Sequence, residues 1–386
     1  MFFVFLLTTT HCIARLSVLA VCFHRVSSLE LDLQSTRQFP RVGLSSSSSS
    51  PSSTRNHTTT HPINRPQVDN IITGDMSDMI DPFKQANGCP IPATWFTLAQ
   101  GTDCAQVKKR YARGDEISCH TMTHRQLNLD TSKQIMEQEI VGSREFLINK
   151  CGIPASQVVG FRNSYLITTP MSREVMHENG FLYDSSNTFD WNGEPGAPAN
   201  RSWPFTMDEG LPDNSCAPTD TFQACTPDES YPGLWEIPVW EMQYQGQSYG
   251  MDPGADSPGN GAVRPTLPTL KYNFDEAYGG NRAPLGIYVH VGWFSKERIA
   301  GTQAFIKYAM AKPDVWFVTM HQLVQWMQDP VPSSEMAGWL AARCKNSGHG
   351  PAIAPTAADP PTIPVTFLSN DTSRFALMGR RRRMMA

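Results

Sequence analysis

The chain has no surplus of charge of either sign: 32 Lys and Arg stand against 36 Asp and Glu, a formal net charge of −4. That removes the basic footprint a nucleic-acid binder needs. It has no apolar run of membrane length. The two N-terminal runs, Met1–Leu7 and Leu16–Phe23, fall short of the roughly 18 residues a span requires, so no stable membrane span is expected. None of its nine cysteines forms a Cys-x-x-Cys pair, which excludes a structural zinc knuckle. No internal repeat is visible.

What is present points to a globular, exported protein. Hydrophobic residues make up 40% of the chain, enough for a sizeable core, and nine Trp and nineteen Phe supply flat faces for cores or sugar rings. The apolar start reads as a cleaved signal peptide over residues 1–28, although it lacks a basic beginning. Signal and cysteines together imply a secreted or extracellular setting. Residues 29–65 read as a linker, dominated by Ser and Thr from residue 43. Residues 66–332 carry ordered texture, and 333–386 read as an Ala- and Pro-rich, disordered tail ending near Arg380–Arg383. Asn56, Asn200 and Asn370 each begin an Asn-x-Ser/Thr tripeptide, the acceptor pattern of a glycoprotein. Cys216 and Cys225 flank a Pro-, Asp- and Thr-rich loop that looks stapled.

Within the ordered part, strand and helix patterns alternate. Ile91–Leu98, Asp115–Cys119, Val158–Arg162, Phe181–Asp184, Leu234–Val239, Leu285–Val291 and Val315–Met320 read as strands. Thr131–Asn149 reads as a helix capped by Asp130 or Thr131, with Ile135, Ile140 and Leu147 near one face. A further helix starts at Thr169-Pro170 and ends at Gly180, with proline in and glycine out. Such alternation predicts a parallel sheet or barrel.

The chemistry gathers where strands end. His120-Thr121-Met122-Thr123-His124 spaces two imidazoles four residues apart, a spacing that on a helical turn lets both reach one metal ion. Arg162-Asn163-Ser164-Tyr165 follows one strand, Asp184-Ser185-Ser186 another, with Trp191 shortly after, and Ile287 to His290 closes a third. Each residue alone has a plainer reading as an ion pair, helix cap or core histidine. Their joint position at strand C-termini favours one shared site.

These segments resemble, in order, the motifs of NodB-type polysaccharide deacetylases (carbohydrate esterase family four), in the chitin deacetylase-like branch. His-Thr-x-x-His matches completely, Arg-x-Pro-Tyr matches with Ser164 in place of proline, Asp-x-Ser-x-x-x-x-Trp matches completely, and Leu-x-x-His matches with Ile287 for leucine. The resemblance implies an α/β fold, a distorted (β/α) barrel with disordered extensions. It also implies a metal-dependent hydrolase, with zinc as the expected ion, that removes N-acetyl groups from chitin or a related polysaccharide. By resemblance His120 and His124 are metal ligands and Arg162 orients the base. The backbone N–H of Tyr165 holds the oxyanion, His290 is the general acid with Asp184 orienting it, and Trp191 and Ile287 line the acetyl pocket. The change to Ser164 is expected to loosen Tyr165.

The first motif departs from the family's Thr-Phe-Asp-Asp. One register keeps a base at Asp75 and puts Met76 in the ligand position, and another keeps the metal ligand at Asp69 and loses the base. No apolar strand precedes either. Such a degraded motif leaves a rival reading, a catalytically inactive relative that binds chitin-like polysaccharide.

Overall fold

The computed structural model describes residues 2–8, 79–189, 201–212, 216–218, 220–254 and 265–345. All belong to one unit, Met1–Thr10 with Val68–Ala386; His11–Gln67 form the other. Asp69, Asp75, Trp191, the acceptor asparagines Asn56, Asn200 and Asn370, the linker and Arg380–Arg383 lie outside the described residues.

Strand β1 is Phe2–Thr8, followed by β2 (Thr94–Thr97), α1 (Cys104–Arg113), β3 (Glu116–Cys119), α2 (Lys133–Asn149), β4 (Gly160–Phe161), α3 (Pro170–Glu178) and β5 (Tyr183–Asp184). Short strands β6 (Thr188–Phe189), β7 (Phe205–Thr206), β8 (Trp235–Glu236) and β9 (Val239–Trp240) precede a hairpin, β10 (Met242–Tyr244) and β11 (Gln247–Tyr249). Then come α4 (Thr266–Gly279), β12 (Leu285–Val289), α5 (Lys296–Met310), β13 (Val315–Val318), α6 (Met320–Gln328) and α7 (Ser333–Lys345).

Local chemistry sets the helix ends. Thr169 and Ser172 form a reciprocal capping box at α3, with Pro170 in the first turn, and Thr319 and Gln322 do the same at α6. At α2 the expected caps are displaced: the N-cap position is Ser132, whose side chain makes no capping bond.

The sheet runs in the order β12-β1-β2-β3-β4-β5-β8-β7, with β13 also on β1. Strands β2, β3, β4, β5 and β8 are mutually parallel. Strands β2, β12 and β13 each run antiparallel to β1 and so parallel to one another. The result is the expected α/β fold, a distorted (β/α) barrel. All its parallel strands present their C-terminal ends on one side, where active sites of such folds are built. The core strands β2, β3, β12 and β13 are buried along their whole lengths. One polar group sits among them at no cost in unmet bonds. The Glu116 carboxylate accepts hydrogen bonds from Thr94, Ser118, Tyr183 and the His321 amide at the start of α6.

One boundary expectation changes. Residues 333–345, read as disordered tail, form α7 with Met336 and Leu340 buried and Cys344 bonded to Cys89. Ala- and Pro-rich composition beyond this point masked a short packed helix. Phe2–Thr8, read as part of a cleaved leader, pairs with β2, β12 and β13. The stapled loop is as expected, Cys216–Cys225, and a third disulfide joins Cys104 to Cys151.

Candidate active site

His120 follows β3 directly, and its side chain is fully buried. Its Nδ1 lies 2.9 Å from the carbonyl oxygen of Arg162. A carbonyl only accepts, so Nδ1 carries the hydrogen and Nε2 keeps its lone pair. That Nε2 is buried without a hydrogen-bond partner. Burial, reinforced by neighbouring His124, holds the imidazole well below its usual pKa, in the neutral state a metal ligand needs. The His120 and His124 rings lie 5.1 Å apart. The pair therefore fits one divalent metal, with two imidazoles on a common space and an orphaned lone pair on the buried one. Among the described residues no third His, Cys, Asp or Glu completes a ligand group.

The helical turn expected for this pair is absent. Residues 120–124 form an irregular loop in which Thr121 (φ 65°) and His124 (φ 62°) take left-handed backbone angles. Such angles are disfavoured for residues with a Cβ and persist only where neighbours enforce them. Here the enforcer is Glu139 on α2. Its carboxylate accepts from the Met122 amide (3.0 Å), the Thr123 amide (2.9 Å) and the Thr123 hydroxyl (2.6 Å). Thr121 Oγ1 accepts from the His124 amide at 3.0 Å and pairs with the Ser164 hydroxyl, also at 3.0 Å. Ser164, expected to loosen the site, instead ties the Arg162–Tyr165 segment to the histidine loop. Tyr165 is also left-handed (φ 61°), and its ring stands 4.8 Å from that of His124.

Arg162 is fully buried between the rings of Phe96 and Tyr288, at 4.7 and 4.9 Å, and donates from Nη2 to Ser185 Oγ at 2.6 Å. Burial pulls its pKa down to about 10, which leaves it a cation at neutral pH. Asp184 and Glu236 are directly paired residues of adjacent parallel strands and are both buried. Asp184 Oδ1 accepts from Ser186 at 2.5 Å, and Glu236 Oε1 accepts from the Asn187 amide at 3.1 Å. Asp184 Oδ2 and Glu236 Oε2 are each left without a bond. Burial raises both carboxyls, and the Asp184 charge raises Glu236 further.

His290 stands at the end of β12, on the same side of the sheet as His120. Its carboxylate partner is not Asp184 but Asp252, which lies 2.7 Å from Nδ1 and also accepts from the His290 amide at 2.7 Å. Asp184 instead accepts from Ser186 through Oδ1. Ile287 is also displaced from its expected place. Side chains alternate along a strand, and Ile287 packs in the outer core cluster with Leu285 and Val289, whereas Tyr288 faces the cluster that includes Phe96 and Tyr183. The structure does not bring Ile287 to the site. Cys119 is a buried free thiol pushed up to about 12 by burial, so it is no nucleophile. Sequence reading passed over Asp252, Glu139 and Glu236, none of which stands in a recognisable local motif.

Residues 68–183 match the family model for polysaccharide deacetylase. Chitin deacetylase 1 of Bombyx mori is 31% identical over 288 residues, 69% of this chain and 50% of that protein. The chain carries a NodB-type polysaccharide deacetylase domain. Chitin deacetylase 8 of Bombyx mori is 28% identical over 257 residues, 64% of each chain. The chain thus spans about half the length of the first of these relatives and 64% of the second. Among solved structures, a polysaccharide deacetylase of Mycobacterium smegmatis aligns at TM-score 0.40 and 19% identity, over 63% of this chain and 74% of that one. Puue allantoinase aligns at 0.41 and 22%, over 62% and 68%.

Proposed function

We propose that the domain is a metal-dependent hydrolase that removes N-acetyl groups from a glucosamine polymer such as chitin. The observation that carries this reading is the buried, unpartnered Nε2 of His120 beside His124, at the end of the barrel that also holds Arg162 and His290. The names of the two Bombyx mori relatives support chitin as the polymer.

His120 and His124 hold the metal with a carboxylate from the first motif, Asp69 in one register. Zinc suits such a mixed nitrogen and oxygen set. The bound ion supplies Lewis acidity at the acetyl carbonyl and an activated water at neutral pH. In the other register, which puts Met76 in the ligand position, Asp75 is the general base and the Arg162 cation orients it. The backbone N–H of Tyr165, fixed by the left-handed turn, receives the developing oxyanion. His290 hands a proton to the leaving amine. Trp191 covers the acetyl group. The buried Asp184–Glu236 pair holds Ser186 and Asn187 in place, and Ser186 Oγ in turn accepts from the Asn163 amide at 2.9 Å, ordering the turn that carries Tyr165. Three disulfides support an oxidising, extracellular location.

The test is acetate release from N-acetylated chitooligosaccharide by the purified protein, compared with Asp69→Asn and Asp75→Asn. Where Asp75 is the base, Asp75→Asn should lose about 10²- to 10⁴-fold; where Asp69 is the ligand, Asp69→Asn should weaken the metal dependence and Asp75→Asn should change little. A folded wild-type protein that binds the oligosaccharide and releases nothing would mark a sugar-binding relative instead.

A further inference from the structure

Among the described residues four large apolar side chains stand exposed: Phe222 (55%), Leu129 (50%), Tyr165 (45%) and Tyr272 (39%). Scattered singly they would need no explanation. Three of them gather instead. Tyr165 belongs to the candidate active site, and Leu129 and Phe222 line one cavity of about 380 Å³. That volume falls inside the roughly 300–1,000 Å³ of small-molecule sites.

The loops that make the active site also make this cavity. One wall, Gln126 with Asn128 to Asp130, continues the histidine loop beyond His124. Another, Ile167, stands two residues beyond Tyr165. Two residues of chain reach at most about 7 Å, so the cavity begins a short step from His124 on one side and Tyr165 on the other. The third wall is Thr221 and Phe222, in the loop stapled by Cys216–Cys225. That loop is sewn to the segment after Tyr165. The Phe222 carbonyl accepts from the Thr168 amide at 2.7 Å, the Ala224 amide donates to the Thr168 carbonyl at 3.0 Å, and Gln223 Nε2 donates to the Leu166 carbonyl at 2.7 Å. Burying an aromatic ring is favourable, yet the staple and these bonds hold Phe222 out at the cavity wall.

We infer that this cavity is a sugar subsite that takes the polymer unit next to the one losing its acetyl group, with the Phe222 ring against the sugar's C–H face. This rests on the deacetylase reading above. A pyranose ring has apolar C–H faces and a rim of hydroxyls. Phe222 and Leu129 suit the faces, and the amides of Gln126 and Asn128 with the Thr221 hydroxyl suit the rim. Asp130 is the one charged residue that lines the cavity, so the site favours an uncharged sugar over an anionic ligand.

The experiment is calorimetric titration of the full chain with N-acetylchitotetraose, with chelator present so that no substrate is consumed. Wild type is compared with Phe222→Ala, Phe222→Trp and Tyr272→Ala, and acetate release with zinc is measured in parallel. Phe222→Ala should bind about 10-fold more weakly and Phe222→Trp within about threefold of wild type, as for an aromatic anchor. Tyr272 does not line the cavity, and its variant should bind as wild type does. In the wild type, the Leu129 methyl NMR signals, assigned by their loss in Leu129→Met, should shift as the tetraose is added. Unchanged affinity in a folded Phe222→Ala protein would overturn the subsite. So would an equal loss in Tyr272→Ala. Leu129 signals that stay in place at saturating tetraose would overturn it even if the Phe222 variants failed to fold. A wild type that binds through Phe222 and releases no acetate would refute the hydrolase and keep the subsite. One that releases acetate, with Phe222→Ala binding unchanged, would keep the hydrolase and strike the subsite.

Discussion

Glu139 is the clearest place to test how the histidine loop is held. Its carboxylate is buried and accepts three hydrogen bonds from residues 122 and 123. A bond to a charged group contributes about 1.5–3 kcal/mol. Three bonds sharing one carboxylate do not add in full, because a freed loop regains water and relaxes its two left-handed residues. A loss of about 3 kcal/mol for Glu139→Ala is the expected net. For a domain of this size that is roughly 6–12 °C in Tm. Glu139→Gln keeps one good acceptor and should lose about half as much. The loop carries His124, so zinc affinity should also fall by about 10- to 100-fold in Glu139→Ala, the usual effect of removing a group that orients a ligand. Urea denaturation with chelator present gives the first number, and calorimetric zinc titration of the folded variant gives the second. Stability within about 0.5 kcal/mol of wild type, with unchanged zinc affinity, would refute the claim that this carboxylate builds the loop.

Three further outcomes follow from the same geometry. Burial raises the Asp184 and Glu236 carboxyls, so their contribution to stability is full below about pH 4 and is lost as pH rises through the folded values. Glu236→Gln removes one titrating site, so its stability should fall less than that of wild type as pH rises from about 4; parallel curves by urea denaturation would contradict the raised Glu236 carboxyl. Cys344→Ser frees α7 by opening a loop closed across 255 residues, and should lower stability by about 3–5 kcal/mol in scanning calorimetry under non-reducing conditions. Removing residues 1–10 strips β1 from β2, β12 and β13, and should drop Tm by more than about 10 °C. An unchanged Tm would show that the barrel stands without that strand.

Much of the site could be read from the sequence because strand C-termini concentrate chemistry. His120, Arg162, Asp184 and His290 were each found at the end of an apolar strand pattern, and the fold places each of them there. Spacing misled in one respect. Histidines four positions apart read as a helical turn, but Thr121 and His124 adopt left-handed angles imposed by Glu139, and that tertiary contact has no local signature. Asp252 was illegible for a related reason: it meets His290 through a loop after the β10–β11 hairpin, at a distance in sequence that no motif spans. Ile287 shows the reverse error. Its motif position was clear, yet the period of a strand turns its side chain away from Tyr288 and the Arg162 guanidinium beside it. Glu236 sits in a strand of two residues, too short for any periodic pattern, and its role emerges only from its register with Asp184.

The most direct measurement is acetate released from N-acetylated chitooligosaccharide by the purified full chain, with added zinc and with a chelator, beside His120→Ala. The account predicts release with zinc, none with chelator, and none from a folded His120→Ala protein in either condition. Release that persists in chelator, or that survives in His120→Ala, would contradict it.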